Sequence, residues 1–129
     1  MDFGEILRTL PTFAIAGGII SILIIICGIF LVAAIPKKPN WIMGHRTPMS
    51  VKNQDTWTFA SKHSGKRLII WALVNVILVV AGIIFRENGF STWVDLVIVA
   101  VQLLSLLFVI ISTEIALRKN FDKNGKRRQ

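Results

Sequence analysis

Along the chain the hydrophobic positions gather into three long runs with almost no charge inside them. The first extends from Phe13 to Ile35 without a charged residue and stops at Pro36-Lys37-Lys38-Pro39. The second extends from Leu68 to Phe85, opening after Gly65-Lys66-Arg67 and closing at Arg86-Glu87-Asn88-Gly89. The third opens near Trp93 and runs on to Leu117, with Asp95 at its start and Glu114 near its end. In each run apolar residues point in every direction around a helix. That is the pattern of a helix in lipid, not of an amphipathic helix lying on water. At about 1.5 Å per residue the first run crosses a hydrocarbon layer about 30 Å thick. Asn88-Gly89 is a turn signal, so the second and third runs are expected to pair as an antiparallel hairpin.

The expected fold is an all-α membrane protein of three transmembrane helices, with a short interfacial helix in the loop between the first and second. The expected segments are an outer N-terminus 1–12, a first span 13–35, a loop 36–67, a second span 68–85, a turn 86–93, a third span 94–117 and a basic tail 118–129. A cleaved signal peptide fits the start poorly. Its leading segment MDFGEILR carries two acids and one Arg, and the apolar run is longer than a signal peptide needs.

The loop 36–67 is long for a connection between spans, and long connections are often functional. Pro36 to Asn40 breaks the first helix, and Trp41-Ile42-Met43 is apolar enough to lie in the interface. Thr47-Pro48 reads as a helix start, with Thr as the cap and Pro at the first helical position. After Pro48 the segment 48–64 has no further Pro and no Gly, and Gly65 can end it. On such a helix Asn53, Trp57, Ala60 and Ser64 share one stripe.

Charge gives the spans a direction. The chain carries a net charge of +8, in blocks separated by the uncharged runs. Arg8 and Arg86 lie on one expected side. The loop holds Lys37, Lys38, Arg46, Lys52, Lys62, Lys66 and Arg67, and the tail holds Arg118, Lys119, Lys123, Lys126, Arg127 and Arg128. Basic residues mark the cytoplasmic side, so the expectation is N-terminus outside, loop and C-terminus cytoplasmic, in a bacterial cell membrane. Trp41, Trp71 and Trp93 stand near the expected boundaries, as interfacial anchors do. The tail reads as a solvated stop-transfer segment that feels anionic lipid. A nucleic-acid partner is not expected on this topology.

The stretch Asn40-Trp41-Ile42-Met43-Gly44-His45-Arg46-Thr47-Pro48, followed by Lys52 to Trp57 and by Ser64-Gly65-Lys66, resembles the SdpI family of bacterial membrane proteins. That family has a Gly-aromatic-Arg-Thr motif after a turn containing Pro or Asn, then a Trp, then a Gly before the next span. Asn40, Gly44, Arg46, Thr47, Trp57 and Gly65 match it. His45 departs from it, standing where the family often has Tyr. The resemblance implies immunity: protection of a cell against a secreted membrane-active peptide, and sensing of that toxin through a cytoplasmic regulator held at the membrane. A longer family member with more spans carries that role, and this chain has the minimal three-span unit.

Arg46 is the residue best suited to recognition. It can donate to carbonyls at the end of the first span, to lipid phosphate or to an acidic partner. The alternative is that Arg46 and Trp57 only dock the loop onto the bundle. Within the spans, Asp95, Gln102, Ser105 and Ser112 share a face of the third helix, and Asn75 lies on the second. Asn75 and Gln102 can meet near mid-membrane, either as interhelical glue or as a polar groove. Ala14, Gly17, Gly18 and Ser21 form a small-residue stripe on the first helix, suited to close packing or to a homo-oligomer. Glu114 and Arg118 form an i,i+4 pair. Cys27 reads as a lipid-facing hydrophobe. His45 and His63 have no third ligand at a metal-like spacing, so neither metal nor cofactor is expected. Neither a phosphate-binding glycine loop nor an activated nucleophile is present, so the expectation is binding without catalysis. The alternative is a small accessory or oligomeric subunit of a membrane transporter or signalling complex.

Overall fold

In the computed structural model, residue 2 and residues 12–40, 42, 44–86 and 91–129 are described. The expected outer N-terminus (bar residues 2 and 12), the Trp41 and Met43 positions and the centre of the turn at 87–90 lie outside the described residues. Among the described residues three helices form: α1 Thr12–Ala33, α2 Gln54–Arg86 and α3 Ser91–Asn120. Each is long and apolar enough to cross a membrane. Their outward faces are lined by exposed aliphatic side chains such as Ile22, Ile26, Ile77, Leu103 and Leu107, as a lipid-facing bundle requires. Cys27 is exposed on α1.

Among its described residues the loop contains no separate interfacial helix. Residues 48–51 make a single turn, and α2 begins at Gln54 and continues unbroken through Gly65 into the second span. The cap is Asn53, not Thr47. Asn53 Oδ1 accepts the Thr56 N–H at 2.9 Å, and Thr56 Oγ1 accepts the Asn53 N–H at 3.1 Å. This reciprocal pair is a capping box.

Gly65 does not end a helix, because it is needed for packing. A Cβ there would lie 2.8 Å from the Gly28 carbonyl oxygen and 2.9 Å from Leu31 Cβ. A Cβ on Gly28 would in turn lie 2.9 Å from the Gly65 carbonyl oxygen. The two backbones therefore cross nearly in contact, the close approach that small residues allow between helices in lipid. A glycine inside a helix costs about 1 kcal/mol relative to alanine, and this crossing offsets it.

From that crossing the helices align. α2 is antiparallel to α1, with Gly17 facing Val79. α3 is antiparallel to α2: His63 meets Thr113, Trp71 meets Phe108 edge-on at 5.4 Å, Asn75 meets Ser105, and Gly82 lies against Val94 and Ile98. The interior has three layers. Ala14, Val79 and Ile98 form an apolar cluster at one end, backed by Ile83 and Val94. Met49, Ala60, Leu117 and Phe121 form a second at the loop end, backed by Phe59.

Between them lies a polar layer that ties all three helices together. Asn75 Nδ2 donates to Ser105 Oγ at 3.2 Å, and Ser105 Oγ donates to the Gln102 carbonyl at 2.8 Å. Gln102 Nε2 donates to the Gly17 carbonyl at 2.9 Å and to Ser21 Oγ at 3.3 Å. The side chains of Asn75 and Gln102 thus reach the same layer without bonding each other, because Ser105 stands between them. Ala14, Gly17 and Ser21 are buried, as the small-residue stripe requires, but Gly18 faces open space.

The two glycine positions give a direct contrast. Gly65→Val is expected to lower stability by about 1–3 kcal/mol through overpacking, whereas Gly18→Ala, with nothing near its Cβ, is expected to raise it by up to about 1 kcal/mol. Unfolding midpoints of the purified protein in detergent check both. Equal midpoints for Gly65→Val and wild type would contradict the crossing.

Candidate functional site

The loop motif is organised around Trp57, in the first turns of α2 just beyond the Asn53 cap. Trp57 is fully buried. Its indole Nε1–H donates to the Pro36 carbonyl at 3.0 Å, just past the end of α1. Its ring lies against Gly44, where an added Cβ would overlap it. Gly44 also has φ +115, a conformation that side-chain-bearing residues rarely adopt. The motif glycine and tryptophan are thus one contact. It joins the end of α1, the middle of the loop and the start of α2.

The next residues form a tight turn on Ser50. Ser50 Oγ donates toward the His45 carbonyl at 2.6 Å and the Thr47 carbonyl at 2.9 Å, and it accepts the Thr47 N–H at 2.8 Å. The Thr47 hydroxyl accepts the Ser50 N–H at 3.2 Å. So Thr47 caps this one turn, not a helix. Asn40 makes a local turn of its own, its Oδ1 accepting the Ile42 N–H at 3.1 Å.

This framework splits the motif into two roles. His45 is turned inward and 8% exposed, and its Nε2 is buried without a hydrogen-bond partner. Burial holds its pKa below the ordinary histidine value; the nearby Glu114 carboxylate opposes that shift and His63 adds to it. Arg46 is exposed. With Asn40 and Thr47 it lines an open cleft of about 440 Å³, whose walls include Pro39, Pro48 and Val51. Gly65 lies apart from this cleft, in the helix crossing. Asn75, Gln102 and Ser105 are buried in the polar layer, and Asp95 is half-buried about two turns nearer the start of α3.

Sequence reasoning missed the tail. Expected as a solvated segment, it instead folds back on α2. Phe121 is buried against Phe59, with ring centroids 5.5 Å apart. Phe121 and Arg127 form an isolated antiparallel bridge, and Asn53 Nδ2 donates to the Gly125 carbonyl at 2.7 Å. The Asp122 carboxylate accepts the N–H of Lys126, which holds its pKa below the usual value, as does the N–H of Asn124. The one usable signal was Asp122-Lys123-Asn124-Gly125, a turn sequence following a large aromatic residue. The expected Glu114–Arg118 pair forms, at 2.9 Å.

Three long apolar helices with a motif-bearing loop define a small multi-pass membrane protein. The model of the SdpI/YfhL protein family matches residues 37–113, more than half of the chain. This chain belongs to that family. Neither a curated protein nor a solved structure matches it. The matched region starts four residues past the end of α1 and covers most of the loop, all of α2 and most of α3.

The buried His45 gives a pH dependence with a definite sign. Its folded pKa lies below the unfolded value of 6.5, so near and below that pH the unfolded chain binds more protons. Stability is fully present above pH 6.5 and is lost as the pH falls through that value toward the folded pKa. Unfolding midpoints measured from pH 7.5 down to 5 are expected to fall in wild type and to fall less in His45→Gln. Parallel curves would show that His45 is not the group responsible.

Proposed function

We propose that this protein is a non-catalytic binding protein of a bacterial cell membrane that protects against, or senses, a membrane-active peptide toxin. In this reading the loop and tail face the cytoplasm, as their thirteen basic residues imply against two on the other side. Family membership supports an SdpI-like protein. The observation that carries the reading further is the contrast within the motif. Gly44 and Trp57 are consumed in holding the loop, while Arg46 is exposed at an open cleft with Asn40 and Thr47. A guanidinium held at a cleft by a rigid turn suits recognition of a carboxylate or a backbone carbonyl, because its planar fork is pre-organised. The alternative is a small accessory or oligomeric subunit, although most of the small-residue stripe that motivates it packs inside the single chain.

Expression in a toxin-sensitive bacterium, followed by challenge with membrane-active peptides, tests the proposal. Wild type is expected to protect. Arg46→Ala is expected to lose protection while its unfolding midpoint stays within that of wild type. Trp57→Ala is expected to lose both protection and stability, at roughly 3–5 kcal/mol for a buried Trp. No protection by correctly inserted wild type would overturn the immunity role. Full protection by Arg46→Ala would reduce the motif to loop docking.

A further inference from the structure

The folded tail encloses a second cleft, of about 500 Å³, against the turn that precedes α2. Two of its lining residues, Met49 and Phe121, are buried and apolar. Four others, Lys52, Arg118, Lys123 and Arg128, are cationic. Asp122 also lines the cleft, but its carboxylate is engaged by the backbone N–H groups of Asn124 and Lys126 at 2.9 and 2.8 Å. The balance is four cations to one internally bonded carboxylate.

Three of the cations are each fixed by a single bond. The Lys52 ammonium donates to the Lys123 carbonyl. Arg128 Nε donates to the Phe121 carbonyl at 3.2 Å, and Arg118 Nε to Glu114 at 2.9 Å. A lysine has three N–H donors and an arginine five, so each keeps further donors beyond these bonds. Holding like charges around one cleft is unfavourable until an anion enters, and side chains already fixed lose less entropy on binding one. Depth also matters. Arg118 directly follows the third apolar run, and Phe121 is about 6 Å or less further along. The cleft therefore opens at the level of lipid headgroups.

We propose that this cleft binds the phosphate group of an anionic phospholipid. Lys52, Arg118, Lys123 and Arg128 supply the donors, and Met49 and Phe121 meet the apolar part of the glycerol ester. The depth and the apolar wall favour a lipid over an acidic protein segment. Inorganic phosphate shares the recognition chemistry but uses only the cationic rim. The site does not rest on the immunity reading.

The test titrates the full chain, purified in neutral detergent, with phosphatidylglycerol and with phosphatidylcholine, counting bound lipids by native mass spectrometry. Wild type is expected to prefer phosphatidylglycerol. The triple change Lys52→Gln, Arg118→Gln, Arg128→Gln is expected to weaken that binding roughly a hundredfold, at about a factor of five per basic residue. The charge-matched control Lys37→Gln, Lys38→Gln, Lys66→Gln is expected to bind as wild type does. Should the triple variant misfold, Arg128→Gln alone is expected to weaken binding about fivefold and Arg128→Lys to retain most of it. Equal losses in the test and control triples would overturn the site in favour of diffuse surface charge. Displacement of phosphatidylglycerol by millimolar inorganic phosphate, with equal affinity, would make free phosphate the ligand. Displacement by hexaglutamate would reassign the cleft to an acidic protein segment.

Discussion

One contact organises the loop end of the protein: the Trp57 ring laid on Gly44, with its indole N–H bonded to the Pro36 carbonyl. Pro36 lies just past α1, Gly44 lies in the middle of the loop, and Trp57 lies near the start of α2. Further along the loop, Asn40 and Ser50 make short-range turns, Met49 packs with Ala60, Leu117 and Phe121, and Lys52 and Asn53 bond the tail. Ordering a loop costs about 1–2 kcal/mol per residue in backbone entropy, so a large buried aromatic side chain with a satisfied polar tip is a suitable anchor. The Gly28–Gly65 crossing sits beyond it along the same two helices and holds them at near backbone contact.

The polar layer at mid-bundle has a different role. A hydrogen bond between helices in a membrane is worth about 0.6 kcal/mol on average, so the bonds made by Asn75, Gln102, Ser105 and Ser21 do not supply most of the stability. They do set register. Gln102 reaches the Gly17 carbonyl and Ser21, while Asn75 reaches Ser105, and a slip of either helix would strip these buried amide N–H groups of their acceptors. The loop cleft and the tail cleft are both carried on this bundle. Their residues come from the loop, the last turn of α3 and the tail, so the helix register decides whether they converge.

The spans were legible because charge-free apolar runs have few other physical readings. Of the expected stripe Asn53, Trp57, Ala60 and Ser64, the last three are buried on the early part of α2, while Asn53 is the exposed cap before it. The continuity of α2 was not legible. Gly65 followed by Lys66 and Arg67 looks like a boundary locally, and only the backbone of α1 reveals that the glycine is there for contact. Thr47 misled for a similar reason: Thr-Pro starts a turn as readily as a helix, and the Asn53–Thr56 capping box lay unnoticed six residues on. The tail was illegible because its order depends on Asn53 and Phe59, both far away in sequence. The motif was recognisable by residue type, but its division of labour came only from geometry. Gly44 and Trp57 touch, His45 turns inward and Arg46 stays at the surface.

Trp57 is buried while Arg46, two residues past Gly44, is exposed, so one loop carries both an anchor and a surface. The central claim is therefore the Trp57 anchor, and hydrogen exchange at its indole N–H measures it most directly. In the reconstituted protein, NMR is expected to show this proton exchanging slowly and shifted by its bond to the Pro36 carbonyl, and losing that protection in Gly44→Ala. A Trp57 indole proton that exchanges within the dead time in wild type would contradict the account.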